Sequence, residues 1–300
     1  SFQNVSSDIG CIPTAGLGVI TDPQQFFPRL AKSIDYCIDN FVLVKTESVN
    51  LTEGIDNLIH SSHIKNLTII QREKYFFGVS EGWNTILKAF PNSPWYLVLA
   101  YDIELRPHLL ELMSRRFWDQ SQSHISINST HNIAENPILL AFSSYENADV
   151  SQCAYNIFAF TQQVLQDLGY FDENLFPAFW EDTDWQYRFD RYYGWNNSRS
   201  QVYYDIKNWH GIHGSTKHMT GTAYLEKTFP NWPHVRHGGN VGNKNYVRRK
   251  WGCNGRVTID TCAFFTPYGN PSFHMGYWVK DVKRVEGMRA SLVPVTNITR

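Results

Sequence analysis

Trp95-Tyr96-Leu97-Val98-Leu99-Ala100-Tyr101-Asp102-Ile103-Glu104 is the stretch on which the fold turns. Residues 95–100 form a continuous apolar run, the pattern expected of a central strand covered on both faces. The acidic residues directly behind it then fall at the carboxyl edge of the sheet, where open α/β sheets bind ligands. A carboxylate at a strand end offers the oxygen that Mg2+ or Mn2+ prefers and leaves room for a diphosphate.

Working outward, strands and helices alternate. Residues 9–20 read as a buried strand running into a loop at Pro13-Thr14 and Gly16-Leu17-Gly18. Residues 28–38 carry helical spacing (Leu30, Ile34, Cys37, Ile38), and an apolar run follows at 41–44. A short strand at 67–70 precedes a helix over 80–90 with Trp83, Ile86, Leu87 and Phe90 on one face. Beyond the central strand come a helix over 107–117, a strand over 138–142 and a helix over 162–168 closed by Gly169. This is the grammar of a mostly parallel sheet between helical layers. After about Gly194 the chain turns to Gly, His, Asn and aromatics, which reads as a loop-rich half closing over a site built by the first. The expected organisation is one catalytic domain over residues 1–252 and a C-terminal extension, 253–300, packed on it.

Composition narrows the function classes. The 300 residues are 42% hydrophobic and 18% charged, with a formal net charge of -1, which suits a globular protein and argues against nucleic acid as a partner. No apolar run approaches the roughly 18 residues of a membrane span. Sequons at Asn4, Asn50, Asn66, Asn128, Asn196 and Asn297 point to the secretory pathway. The Golgi lumen is the expected compartment, with any anchor or signal lying outside these residues. Five cysteines match no zinc module; Cys253 and Cys262 are close enough to bridge a short loop, and the odd total leaves at least one thiol unpaired within the monomer.

Three further clusters carry chemistry. Phe179-Trp180-Glu181-Asp182-Thr183-Asp184-Trp185 crowds three carboxylates among aromatics, and crowded carboxylates raise one another's pKa toward that of a general base. Arg188 stands one helical turn from Asp184, at pairing distance. Trp209-His210-Gly211-Ile212-His213-Gly214-Ser215 sets two histidines among glycines, where backbone can approach a ligand. Asn245-Tyr246-Val247-Arg248-Arg249-Lys250-Trp251-Gly252 is a basic cluster that would face a diphosphate or form a solvated helix face.

In order, these sites resemble glycosyltransferase family 2 and its close relatives. Gly78 and Asn84 stand at matching places of a donor-site helix start, with Phe76 where Asn is usual. Residues 96–107 resemble the segment with the metal-binding Asp-x-Asp; Asp102 matches its last acid, and Ala100 stands where the first acid is expected. Leu168-Gly169-Tyr170-Phe171-Asp172-Glu173-Asn174-Leu175-Phe176, followed by Glu181-Asp182 and Arg188, is the most specific match. His210 with Ser215, and residues 245–252, resemble the later motifs.

The resemblance implies a GT-A fold, a Rossmann-like three-layer α/β/α sandwich with a loop-rich C-terminal part. It also implies inverting transfer from a nucleoside-diphosphate sugar, with UDP favoured, to a glycan or glycoprotein hydroxyl. Asp182 would be the catalytic base beside Glu181. Asp102 and His210 would hold Mn2+ or Mg2+, with His213 the fallback. Thr14, Glu47, Gly78, Asn84, Tyr101, Asp102 and Lys250 would contact the donor, while Trp180 and Asp184 would support the acceptor or its loop. Two rivals differ in class. A nucleotidyltransferase would show a basic residue after Gly16-Leu17-Gly18, which this chain lacks. An inactive carbohydrate-binding relative is favoured by Ala100.

Overall fold

The computed structural model describes residues 10–19, 26–47, 50–72, 77–101, 103–105, 107–123, 137–143, 155–194, 200–203 and 231–292. Its centre is a seven-stranded sheet: β1 (Ile12–Val19), β2 (Ile38–Lys45), β3 (Ile64–Gln71), β4 (Trp95–Leu99), β5 (Leu139–Ser143), β6 (Tyr155–Thr161) and β7 (Ser200–Tyr203). The order is β3-β2-β1-β4-β6-β5-β7. β6 alone runs antiparallel to its neighbours; the other six share one direction.

Side-chain alternation explains why both faces are covered. From β4, Trp95, Leu97 and Leu99 point to one apolar core, and Tyr96 and Val98 to the other. The first core takes α1 (Phe26–Lys32), α2 (Thr52–Ile59) and α4 (Leu109–Ser123) through Phe27, Leu30, Leu58, Leu110, Met113 and Phe117. The second takes α3 (Val79–Ala89), α5 (Gln162–Leu168) and α6 (Glu181–Tyr193) through Ile86, Leu87, Val164, Leu168, Trp185 and Phe189. The result is a helix–sheet–helix sandwich of Rossmann-like α/β class. Each fully buried Leu, Ile or Phe contributes roughly 1.5–3 kcal/mol, so the two cores dominate the stability.

Several expectations shift. Pro13-Thr14 and Gly16-Leu17-Gly18 are not a loop; all five lie inside β1. Gly16 is there because α3 lies close on the sheet: a Cβ would stand 2.7 Å from Ile86 Cγ2. The first helix stops at Lys32, and Ile34 reaches the core from the following loop. Gly169 does close α5, at φ 75°.

The larger difference lies beyond residue 194. Residues 232–251 form α7 (Trp232–Trp251), a 20-residue helix, and residues 282–290 form α8 (Val282–Ala290). Glycine, histidine and asparagine lower helix propensity, so the segment reads as loop. Tertiary packing overrides this: a Cβ on Gly239 would stand 2.7 Å from Pro177 Cδ, and one on Gly242 3.1 Å from Arg284. The core is continuous across residue 252, because Leu175, Tyr187, Val247 and Trp251 share a cluster with Val257, Cys262 and Met275. Disulfides join Cys11 to Cys37 and Cys253 to Cys262; Cys153, the fifth cysteine, lies outside the described residues. Among the described residues, no helix is long and apolar enough to cross a membrane.

Candidate active site

The parallel strands end at Val19, Lys45, Gln71 and Leu99, which together define the carboxyl edge. Antiparallel β6 begins at that same edge. Leu99 pairs with Ile157, so continuing the register by two residues brings Tyr155 level with Tyr101. The Tyr155 N–H donates to Asp182 Oδ2 over 3.2 Å. Neighbouring strands lie about 5 Å apart, so Asp182 and the Tyr101 backbone are separated by something on the order of 10 Å. Asp102 itself lies outside the described residues. The chain just after it is anchored on α1 and the turn that follows: Glu104 pairs with Arg29 (2.5 Å), Leu105 N–H donates to Ser33 Oγ (3.0 Å) and His108 N–H to Asp35 Oδ2 (2.6 Å).

Glu181 and Asp182 open α6. The chain enters through Phe179 and Trp180, both left-handed at φ 77° and 78°. Such backbone costs on the order of 1–3 kcal/mol per bulky residue and persists where surroundings enforce it. Here α7 does so. Asn243 Nδ2 donates to Ala178 O (3.0 Å) and Phe179 O (3.1 Å), and Trp180 Nε1 donates to Asn240 Oδ1 (2.9 Å). Lys244 Nζ lies 5.8 Å from the Trp180 ring centre, a cation–π distance.

The pair is electrostatically tense. Burial, then the Asp182 charge, pushes the Glu181 carboxyl well above the ordinary range, and Glu181 Oε2 has no hydrogen-bond partner among the described residues. Burial pushes Asp182 up to about 6, against the backbone N–H groups of Thr183 (2.6 Å) and Tyr155 that favour its charge. The α6 N-terminus also favours anions, but by at most about 2 kcal/mol. A carboxylate poised near 6 is ionised at neutral pH yet basic enough to accept a proton. Below it, Tyr155 O–H donates to Gln186 Oε1, and Gln186 Nε2 to Asp190 Oδ1 (2.8 Å). Burial lifts Asp190 to about 7.

Asp184, two residues on, has the opposite environment. It pairs with Arg188 (2.9 Å), as the helical spacing indicates, and with Lys250 (3.1 Å); Trp251 Nε1 donates to its Oδ1 (2.7 Å). Burial alone would raise it, but the Lys250 and Arg188 charges hold it below the ordinary value. Lys250 Nζ also meets Asp172 Oδ2 (2.9 Å), which takes the Tyr246 hydroxyl (2.7 Å). The two carboxylates and two cations neutralise each other, and all four side chains are fully buried.

This corrects the expectation for Lys250 alone; Arg249 in the same cluster is exposed. Lys250 faces the interior of the fold, not a diphosphate. Asn84 is likewise occupied: its amide donates to Phe171 O (2.8 Å) and Glu173 Oε1 (3.0 Å), and its carbonyl accepts from Phe171 N–H (2.9 Å). Gly78 meets Phe176, which a Cβ would approach to 3.0 Å, and Val79 N–H donates to Pro177 O (2.9 Å). The donor-helix motif and the motif over 168–176 therefore clasp each other. Thr14 is buried in mid-strand, away from the carboxyl edge, and its hydroxyl has no partner among the described residues. Glu47 does follow β2 at that edge and is exposed. His210 and His213 lie outside the described residues.

Sequence reasoning missed two features. Tyr155 gives no local signal, although Gln186 and Asp190 at i+4 and i+8 from Asp182 were readable on one helical face. The other is Glu81, near the start of α3, gripped by Arg72 just past β3 (2.5 Å) and by Arg289 of α8 (2.7 Å).

Fold and site together define a mixed α/β protein with a carboxylate pair at the carboxyl edge of a mostly parallel sheet. No family model matches the chain, and no curated protein matches it. Among solved structures, the crystal structure of HddC from Yersinia pseudotuberculosis is similar at 10% sequence identity and a TM-score of 0.35, over 53% of this chain and 81% of that one. A likeness of that size carries no argument about what this chain does.

Proposed function

We propose that this protein is an inverting glycosyltransferase of GT-A type, with Asp182 as the base. The observation that carries the reading is the register of β4 and β6, which sets the Asp182 carboxylate at the sheet edge where Tyr101 leaves β4. Open α/β sheets bind nucleotides at that edge. The sequence motifs over 168–188 supply the reaction class, and the raised pKa of Asp182 suits a proton acceptor.

In this reading Asp182 takes the acceptor hydroxyl proton as that oxygen attacks the anomeric carbon. The Tyr155 and Thr183 N–H groups, one on each carboxylate oxygen, hold it in a single orientation. Glu181, whose carboxyl burial and the Asp182 charge push well above the ordinary range, would donate a hydrogen bond when protonated. Trp180 offers a flat face to a sugar.

A divalent cation suits the described residues in one respect. Among the described residues, neither Glu181 nor Asp182 forms an ion pair with a cation, and Glu181 Oε2 is unpartnered. Asp102 and His210, an oxygen and an imidazole, would hold Mn2+ or Mg2+. When bound, the ion would neutralise charge gathering on the departing diphosphate. Glu47, just past β2, would contact the nucleotide. The donor sugar nucleotide is proposed as UDP-linked, the acceptor as a glycan or glycoprotein, and the compartment as the Golgi lumen.

The test is release of nucleoside diphosphate from a panel of UDP-, GDP- and dTDP-sugars with Mn2+, for wild type and Asp182→Asn. Turnover by the wild type and not the variant supports the reading. Equal turnover by both overturns the role of Asp182. A second reading, a carbohydrate-binding relative without turnover, draws on Ala100 standing where an acid is expected. It requires sugar binding with no nucleoside diphosphate release from any donor.

A further inference from the structure

Two of the six sequons fall on described residues, at Asn50 and Asn66. Both asparagines are exposed, so exposure does not separate them. Their amide groups do. Asn50 lies two residues ahead of α2, and its Oδ1 accepts from Thr52 N–H (3.1 Å) and Thr52 Oγ1 (2.6 Å). The first of these satisfies one of the N–H groups that a helix start leaves unpaired. Both bonds use the carbonyl oxygen, and Nδ2 makes none among the described residues. Asn66 is the reverse. It sits on edge strand β3, and its Nδ2 donates to Asp39 O (3.0 Å) and Asn40 Oδ1 (3.3 Å), both on neighbouring β2.

N-glycosylation builds on Nδ2 and leaves Oδ1 a carbonyl. At Asn50 the modification preserves both hydrogen bonds that the side chain makes among the described residues. At Asn66 it replaces a proton of the bonded nitrogen and drives a sugar ring toward the β2 backbone. We propose that Asn50 is an N-glycosylation site and that Asn66 is not. The co-reactant class is a lipid-diphosphate-linked oligosaccharide. A bond forms between Nδ2 and the anomeric carbon, and the bond from that carbon to the diphosphate oxygen breaks. The lipid diphosphate leaves with the electron pair, and one amide proton passes to a base of the transferring enzyme; nothing is oxidised or reduced.

The disulfides Cys11–Cys37 and Cys253–Cys262 support the setting independently, because such bridges persist in oxidising, secretory compartments. The proposal rests on that compartment and not on the transferase reading, so loss of one leaves the other standing.

The full chain is expressed behind a secretion signal in a eukaryotic cell and deglycosylated by a peptide amidase in heavy-oxygen water. Each glycan-bearing asparagine then becomes a labelled aspartate, read by peptide mass spectrometry. The expected result is label at Asn50 and none at Asn66. Asn50→Gln should remove one glycan from the intact mass while the protein is still secreted. An unlabelled Asn50, a labelled Asn66, or an intact mass in which Asn50→Gln loses no glycan each overturns the proposal.

Discussion

The backbone N–H of Tyr155 donates to the carboxylate of Asp182 across 3.2 Å, joining the first residue of β6 to the first turn of α6. The bond spans 27 residues of sequence and fixes which end of the sheet the acidic helix start faces. Had β6 run parallel to β4, Tyr155 would sit at the opposite edge and Asp182 with it.

Asp182→Asn should lower kcat at least about 100-fold while donor affinity stays within a few-fold, since a base acts mainly in the transition state. Steady-state kinetics and donor titration check this. The acidic limb of the wild-type rate profile should fall with a single proton near pH 6, because Asp182 must be ionised to act.

The same variant should be more stable than wild type at pH 7. A carboxyl raised from 3.8 unfolded to about 6 folded binds more protons in the folded state between those values. Stability contributed by the protonated group is therefore present at low pH and lost as pH rises through 4 to 6. The ionised group costs on the order of 1–2 kcal/mol at neutral pH, after allowance for its partial exposure. Urea unfolding at pH 4 and pH 7 should show the advantage of Asn at pH 7 only.

Lys250→Met should destabilise the fold by about 3–5 kcal/mol, because it removes the buried ammonium that Asp172 and Asp184 share. Chemical denaturation measures the loss. A variant of unchanged stability with weakened donor binding would restore the phosphate contact that the basic cluster first suggests.

Gly239→Ala and Gly287→Ala should move in opposite directions, although both glycines lie in helices. Alanine gains about 1 kcal/mol of helix propensity at either site. At 239 the new methyl meets Pro177 at 2.7 Å, and overpacking of about 1–3 kcal/mol wins. At 287 nothing among the described residues lies within 4 Å, so the variant should be stabilised by about 0.5–1 kcal/mol. Thermal melts of the pair decide it.

If Asp102 and His210 hold the cation, Asp102→Ala should lose the response to Mn2+, and EDTA should silence the wild type. Equal wild-type turnover in EDTA and in Mn2+ would remove the metal from the proposal.

Much of the first half was legible. The runs at 41–44 and 95–100 are apolar on both faces, and only a covered strand uses such residues, so the sheet and its parallel grammar follow from local pattern. Spacing allows the Asp184–Arg188 pair and the Cys253–Cys262 bridge, and the folded chain forms both. The crowding of carboxylates marks residues 181–184, and only the motif resemblance singles out Asp182 among them. The destination of Lys250, by contrast, was misread as outward. Its local neighbours, Arg248 and Arg249, are a basic helix face, and nothing local reveals that the opposite face meets Asp172, 78 residues earlier.

Glu181 and Asp182 stand together in the sequence, and their mutual repulsion is a property of that adjacency. What raises one toward the range of a working base, and what orients it, is burial against β6 and two N–H groups, which depend on how distant strands pair. Likewise α7 is a helix because Pro177 and Arg284 fit against its glycines, not because its residues prefer to coil. Periodicity along a chain records which face of each element is apolar. Strand direction, close helix contact and the solvation of a buried charge are set by partners tens of residues away, and only the assembled fold brings those partners within bonding distance.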